Sequence, residues 1–119
     1  MNDHDATLEQ LRRRMAEFVA ERDWDPFHTP KNLAMGLAIE TAELMEHVQW
    51  VGSESSRQIV RDEKLMAEVK EEIADCLSYV LALANSLDID LSEAYFAKMD
   101  KNEQKYPAEE YKGRYKKLG

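Results

Sequence analysis

Two short runs in this 119-residue chain space acidic side chains so that they could act together: Glu40-Thr41-Ala42-Glu43 and Glu72-Ile73-Ala74-Asp75. On a helix, residues three apart are neighbours, with Cβ atoms about 5–6 Å apart. Each run therefore presents two carboxylates side by side. Leu37, Ile39, Leu44 and Met45 surround the first pair, and Ile73, Cys76 and Leu77 surround the second. The acids thus border the apolar stripes through which the two helices would pack. Carboxylates facing each other at ~5 Å repel by about 3 kcal/mol per pair at an effective dielectric of ~20. No lysine or arginine occurs between Asn32 and Gly52 to offset them. A hard divalent cation with oxygen ligands is the simplest neutraliser, and magnesium is the commonest such ion in phosphate chemistry. One Glu-x-x-Glu is ordinarily a solvated helix face. Two such motifs on neighbouring helices, each inside an apolar stretch, form the less common pattern. Di-iron carboxylate bundles need Glu-x-x-His on two helices. His47 stands four residues after Glu43 and the third helix has no histidine, so magnesium fits better than iron.

The elements that must position these acids are helical. Alternating strand patterns are absent, and four glycines and three prolines are too few for a chain of many turns. Thr7 and Gln10 have the spacing of a capping box, so a first helix starts near Thr7 with Leu8, Leu11, Met15, Phe18 and Val19 as its apolar stripe. A connector from Arg22 to Thr29 carries Trp24, Pro26, Phe27 and His28. Thr29 as N-cap and Pro30 at the first position open a second helix, expected to run to about Val51 before Gly52-Ser53. Glu54 to Asp62 reads as a loop or frayed helix. The third helix is expected over Glu63 to Leu87, and Asp90 with Glu93 starts a fourth, Leu91 to Lys105, ended by Pro107. Four helices with mostly short connectors imply an all-α bundle. The length is that of one domain, spanning 1–119, with a loosely held basic tail from about 107.

Charge and composition narrow the partners. Asp and Glu number 24 against 16 Lys and Arg, a formal charge of −8 that a nucleic-acid backbone would repel. Positive charge gathers at the C-terminal end: Lys98, Lys101, Lys105, Lys112, Arg114, Lys116 and Lys117 fall in the last 22 residues. Such an end could draw in an anionic small molecule. No stretch approaches ~18 consecutive apolar residues, so no membrane span is expected. Met1 to Arg14 lacks the apolar middle of a signal peptide, which makes the cytoplasm the expected address. Cys76 is the sole cysteine, which leaves no internal disulfide or multi-cysteine zinc site.

The arrangement Glu40-x-x-Glu43, 28 intervening residues, then Glu72-x-x-Asp75 resembles the all-α nucleoside triphosphate pyrophosphohydrolases of the MazG-like superfamily. Three further segments narrow the resemblance to the dCTP pyrophosphatase branch. They are Arg22-Asp23-Trp24 with Phe27-His28-x-Pro30-x-Asn32-Leu33, then Gln49-Trp50, then Lys98-Met99-Asp100-x-Asn102-x-Gln104-Lys105-Tyr106-Pro107. The resemblance implies a hydrolase that converts a nucleoside triphosphate, dCTP or a related and even modified deoxynucleotide, to the monophosphate and pyrophosphate. It assigns Mg2+ to Glu40, Glu43, Glu72 and Asp75, the triphosphate to Lys98, Asn102, Lys105 and Tyr106, and the nucleoside to Trp24, His28, Trp50 and Tyr79. Glu71 or a metal-binding glutamate would take the proton from the attacking water. Position 105 is lysine where relatives usually carry arginine, which keeps the charge and loses the bidentate fork. Relatives assemble as dimers or tetramers, so a homo-oligomer, a tetramer, is the expected state.

Several of these residues also have plainer readings. Trp24 and Trp50 could be core or interface aromatics, although Asp23 and Asp25 beside Trp24 favour a stacking role. Tyr79 lies four residues after Asp75 and seven after Glu72, on the same helix face. His28 could be a structural loop histidine, His47 a partner of Glu43 or plain surface, and Cys76 a core thiol. The same chemistry on another nucleotide such as dUTP, or a helical interaction module without enzymatic activity, are the alternatives.

Overall fold

The computed structural model describes residues 1–114; Lys116 and Lys117 of the basic tail lie outside the described residues. The chain divides into two compact units, 1–88 and 89–119. In the first unit, α1 spans Leu8–Glu21. The Gln10 N–H donates to Thr7 Oγ1 at 3.2 Å and the Thr7 N–H donates to Gln10 Oε1 at 2.8 Å, completing the expected capping box. A 3₁₀ turn, Asp25–Phe27, follows in the connector. Helix α2 spans Pro30–Glu46, with the Thr29 hydroxyl accepting from the Asn32 N–H at 3.2 Å.

Helix α2 stops at Glu46 rather than near Val51. Beyond it, Val48 and Val51 close i→i+3 bonds to Met45 and Val48, both at 3.0 Å, so the chain tightens into successive turns. Ser55–Arg61 is a 3₁₀ helix, which resolves the ambiguous stretch before Asp62. Helix α3 spans Glu63–Leu87, the bounds expected from sequence. Asp62 caps it by accepting from the Leu65 N–H at 3.0 Å, and Asp88 ends it in the left-handed region at φ 52°.

Helix α3 packs against both α1 and α2. Among the described residues the buried side chains are Val19 of α1, Leu33 of α2, and Leu81, Ala82 and Ala84 of α3. The buried part of α3 is therefore its C-terminal part; before Leu81 its residues are half-buried or exposed. Arg12 ties that end to α1. Its guanidinium donates to the Ala84 carbonyl and to Asn85 Oδ1, both at 3.1 Å, and the Asn85 amide donates back to the Arg12 carbonyl at 3.1 Å.

In the second unit, α4 spans Leu91–Lys105 as expected, capped by Asp90 accepting from the Glu93 N–H at 3.0 Å. After Pro107 a single turn of helix, α5 (Ala108–Tyr111), brings Tyr111 edge-on to Tyr106 with ring centroids 5.2 Å apart. The regular structure among the described residues is all helical, an all-α helical bundle as the periodicity implies. No described helix is long and apolar enough to cross a membrane.

Candidate functional site

Helices α2 and α3 bring three of the paired acids together. Glu40, Glu43 and Glu72 each offer a carboxylate oxygen, and these oxygens all lie within 4.8 Å of one another. The i, i+3 spacing sets Glu40 beside Glu43, and the packing of α3 on α2 delivers Glu72 to them. Glu40 Oε2 and Glu72 Oε2 are buried and have no hydrogen-bond partner. Burial of that kind is costly for a carboxylate, because an unpaired charge loses its hydration.

The cost appears in the protonation of Glu40, which is pushed up from 4.5 to about 7. Burial is the largest cause; a hydrogen bond shared with Glu43 comes next, followed by the charges of Glu43, Asp75 and Glu72. A divalent cation would reverse each of these effects at once. The donor set, carboxylate oxygens alone, suits a hard ion. The residues present therefore fit a divalent metal, with the two partnerless oxygens as the observation that carries the fit.

The fourth acid, Asp75, stands outside the set of three but remains close enough for its charge to act on Glu40. Asp75 and Glu40 line one wall of a cavity of about 580 Å³. This volume lies within the range of small-molecule sites. Trp24, His28 and Tyr79 line the same cavity, so three of the four expected nucleoside residues share it. The Trp24 ring meets Phe18 edge-on at 5.6 Å and lies tilted over His28 at 6.5 Å, forming a continuous aromatic wall. Trp50, in the turns after α2, is 90% exposed in the single chain and does not line the cavity. Glu71 is exposed and does not join the carboxylate set.

Lys98, Asn102 and Lys105 lie on α4, with Tyr106 at its C-cap, all in the second unit. Lys105 Nζ sits 5.3 Å from the centroid of the adjacent Tyr106 ring. The Asn102 amide points to Met99 Sδ at 3.9 Å.

Some contributors were not singled out from sequence. Leu11, Met15 and Phe18 of α1, read only as a core stripe, line the cavity together with Arg14. His47 does not pair with Glu43. Its Nε2 lies 3.6 Å from Glu72 Oε1, and its Nδ1 lies 3.5 Å from Glu68 Oε2. Gly36 faces the Tyr79 ring so closely that a Cβ there would fall 2.7 Å from Cζ.

The profile of the MazG-like family matches residues 36–119. Mouse dCTP pyrophosphatase 1 is 45% identical over 101 residues, covering 85% of this chain and 59% of that protein. Its human counterpart is 43% identical over 102 residues, covering 86% and 60%. The chain thus spans about three-fifths of the length of these curated relatives. A pyrophosphatase of known structure from Archaeoglobus fulgidus is 44% identical and superposes with a TM-score of 0.77, over 90% of this chain and 98% of that one.

Proposed function

The chain belongs to the MazG-like family, on the branch that holds the dCTP pyrophosphatases, and we propose that it is a magnesium-dependent nucleoside triphosphate pyrophosphohydrolase acting on dCTP or a closely related deoxynucleotide. The observation that carries this reading is the juxtaposition of convergent carboxylates with an aromatic cavity. Glu40 belongs to both, so a nucleoside held between Trp24 and Tyr79 would have its phosphates directed to the acids.

The reaction is NTP + H2O → NMP + pyrophosphate. Glu40, Glu43, Glu72 and Asp75 are the residues that would hold magnesium; when bound, such an ion offsets phosphate charge and lowers the pKa of water. The rest falls to the chain's own groups. Trp24, His28, Tyr79 and, in an assembly, Trp50 hold the nucleoside and keep water from its faces. Lys98, Asn102, Lys105 and Tyr106 bind the phosphates and spread the charge of the departing pyrophosphate. A water oxygen attacks the α-phosphorus, the bond to the bridging oxygen of the pyrophosphate breaks, and Glu71 or a cluster glutamate accepts the water proton. No covalent enzyme intermediate is needed.

A homo-oligomer, a tetramer, completes the reading. Met35, Ile39 and Met45 on α2 and Ile73 on α3 are each more than half exposed, an apolar surface that assembly would cover. The cytoplasm is the proposed address.

The test is a panel of purified triphosphates, dCTP, dUTP and their modified forms among them, assayed with magnesium in ¹⁸O-labelled water. Pyrophosphate with the label in the monophosphate is the expected outcome. Orthophosphate as the first product would place the cleavage at the terminal phosphate and defeat the proposal.

A further inference from the structure

His47 is the first residue past α2, and its imidazole faces α3 with a different carboxylate at each ring nitrogen. The ring is only 23% exposed, and Glu72 beneath it is 20% exposed. The two oxygens of Glu72 have contrasting surroundings. Oε1 faces His47 Nε2 at 3.6 Å, whereas Oε2 is buried, has no partner, and belongs to a carboxylate that converges on Glu40 and Glu43. The two oxygens of an ionised carboxylate are equivalent, so a ring held against one of them sets the plane of the group and hence the direction in which the other oxygen meets the cluster.

Resting on the metal-binding reading above, we propose that His47 is a positioning residue for the metal site: it holds Glu72 by Oε1 so that Oε2 is presented to the cation, and is itself held by Glu68. His47 acts through Glu72 rather than on the ion, since what its two ring nitrogens face are carboxylate oxygens of Glu72 and Glu68. Its other nitrogen faces Glu68 Oε2 at 3.5 Å, on the helical turn before Glu72. The imidazole therefore spans two successive turns of α3 from the end of α2, which fixes both its own orientation and that of the glutamate. Partners of this kind raise affinity without touching the ion, and their loss typically weakens metal binding by about 10- to 100-fold.

The test measures Mn2+ binding to the full chain, without nucleotide, by the electron paramagnetic resonance of free Mn2+. His47→Ala is expected to weaken binding by about 10- to 100-fold. His47→Gln, whose amide is a donor within reach of Glu72 Oε1, is expected to recover a large part of that loss. Glu68→Gln is expected to change affinity by less than about threefold, since Glu68 acts only through the ring. Circular dichroism melts run in parallel. Wild-type binding with an unchanged His47→Ala affinity overturns this inference alone. A loss that His47→Gln does not recover marks His47 as ordinary helix packing and overturns it too. Wild-type protein that binds no Mn2+ overturns the metal reading and this inference with it.

Discussion

Gly36 of α2 lies against the aromatic ring of Tyr79 on α3, leaving no room for even a methyl group between them. The glycine is mid-helix, where it costs up to about 1 kcal/mol relative to alanine. That cost is accepted because the Tyr79 ring occupies the space a Cβ would need, and the same ring forms part of the cavity wall. Two opposing effects thus meet at one position. Gly36→Ala would gain helix propensity and lose ring placement, and overpacking against a ring typically costs ~1–3 kcal/mol. The net expectation is a destabilisation of up to about 2 kcal/mol, together with a raised KM for nucleotide. In a Tyr79→Ala background the same substitution should turn neutral or stabilising. Urea melts of the four proteins in that cycle, with KM measured on each, decide it.

The Glu40 carboxyl makes stability depend on pH in a definite direction. Its folded pKa, about 7, exceeds its ordinary value of 4.5. The stability it contributes is therefore complete below 4.5 and is lost as pH rises through 7. Metal-free protein should accordingly melt at a lower temperature at pH 8 than at pH 6, and Glu40→Gln should flatten that fall. Magnesium needs the ionised carboxylate, so the rise in Tm on adding it should be larger at pH 8. Scanning calorimetry with chelator and with magnesium across this range supplies both comparisons. A Tm rise on adding magnesium that is equal at both pH values would contradict the placement of Glu40 at the ion.

Glu43→Gln and Asp75→Asn are each expected to abolish turnover while leaving the far-ultraviolet circular dichroism unchanged. Glu71 makes the informative contrast, being exposed and apart from the set of three. A fall in kcat of roughly 10²- to 10⁴-fold in Glu71→Gln would identify it as the proton acceptor. An unchanged kcat assigns that role to a glutamate of the cluster.

Trp24 and Trp50 should respond differently. Trp24 stacks within the cavity wall, so Trp24→Ala should lower kcat/KM by roughly 5- to 150-fold, the worth of ~1–3 kcal/mol of base stacking, and should blur discrimination among bases. Trp50 is 90% exposed in the single chain, so its loss should barely affect folding of the monomer. If assembly buries it, Trp50→Ala should dissociate the oligomer or degrade selectivity, and sedimentation with parallel kinetics separates these outcomes.

Much of this architecture was legible because the helix boundaries carry local chemistry. Thr7, Thr29 and Asp90 each cap through their own side chains, so the starts of α1, α2 and α4 could be read from a few residues. The end of α2 could not, since nothing between Glu46 and Gly52 breaks a helix outright and i→i+3 bonds compete closely with helical ones there. The paired acids were legible as pairs. That Glu72 rather than Asp75 completes the set of three depends on the rotation of α3 about its axis, which packing against α1 and α2 sets and no local spacing encodes. The same holds for His47, whose partners come from 21 and 25 residues further along the chain.

The burial of α3 is uneven along its length. The helix is about 37 Å long at 1.5 Å per residue; its C-terminal part is held by Leu81, Ala82, Ala84 and the Arg12–Asn85 bonds, and the preceding length, packed on α2 without a buried residue of its own, bears Glu68, Glu72, Asp75 and Tyr79. Segments with few buried contacts open at lower free energy than the core. The acid-bearing length is therefore expected to open to solvent more readily than the C-terminal part. Amide hydrogens from Glu68 to Asp75 should exchange with solvent well before those from Leu81 to Asn85, a gradient of persistence along one unbroken helix.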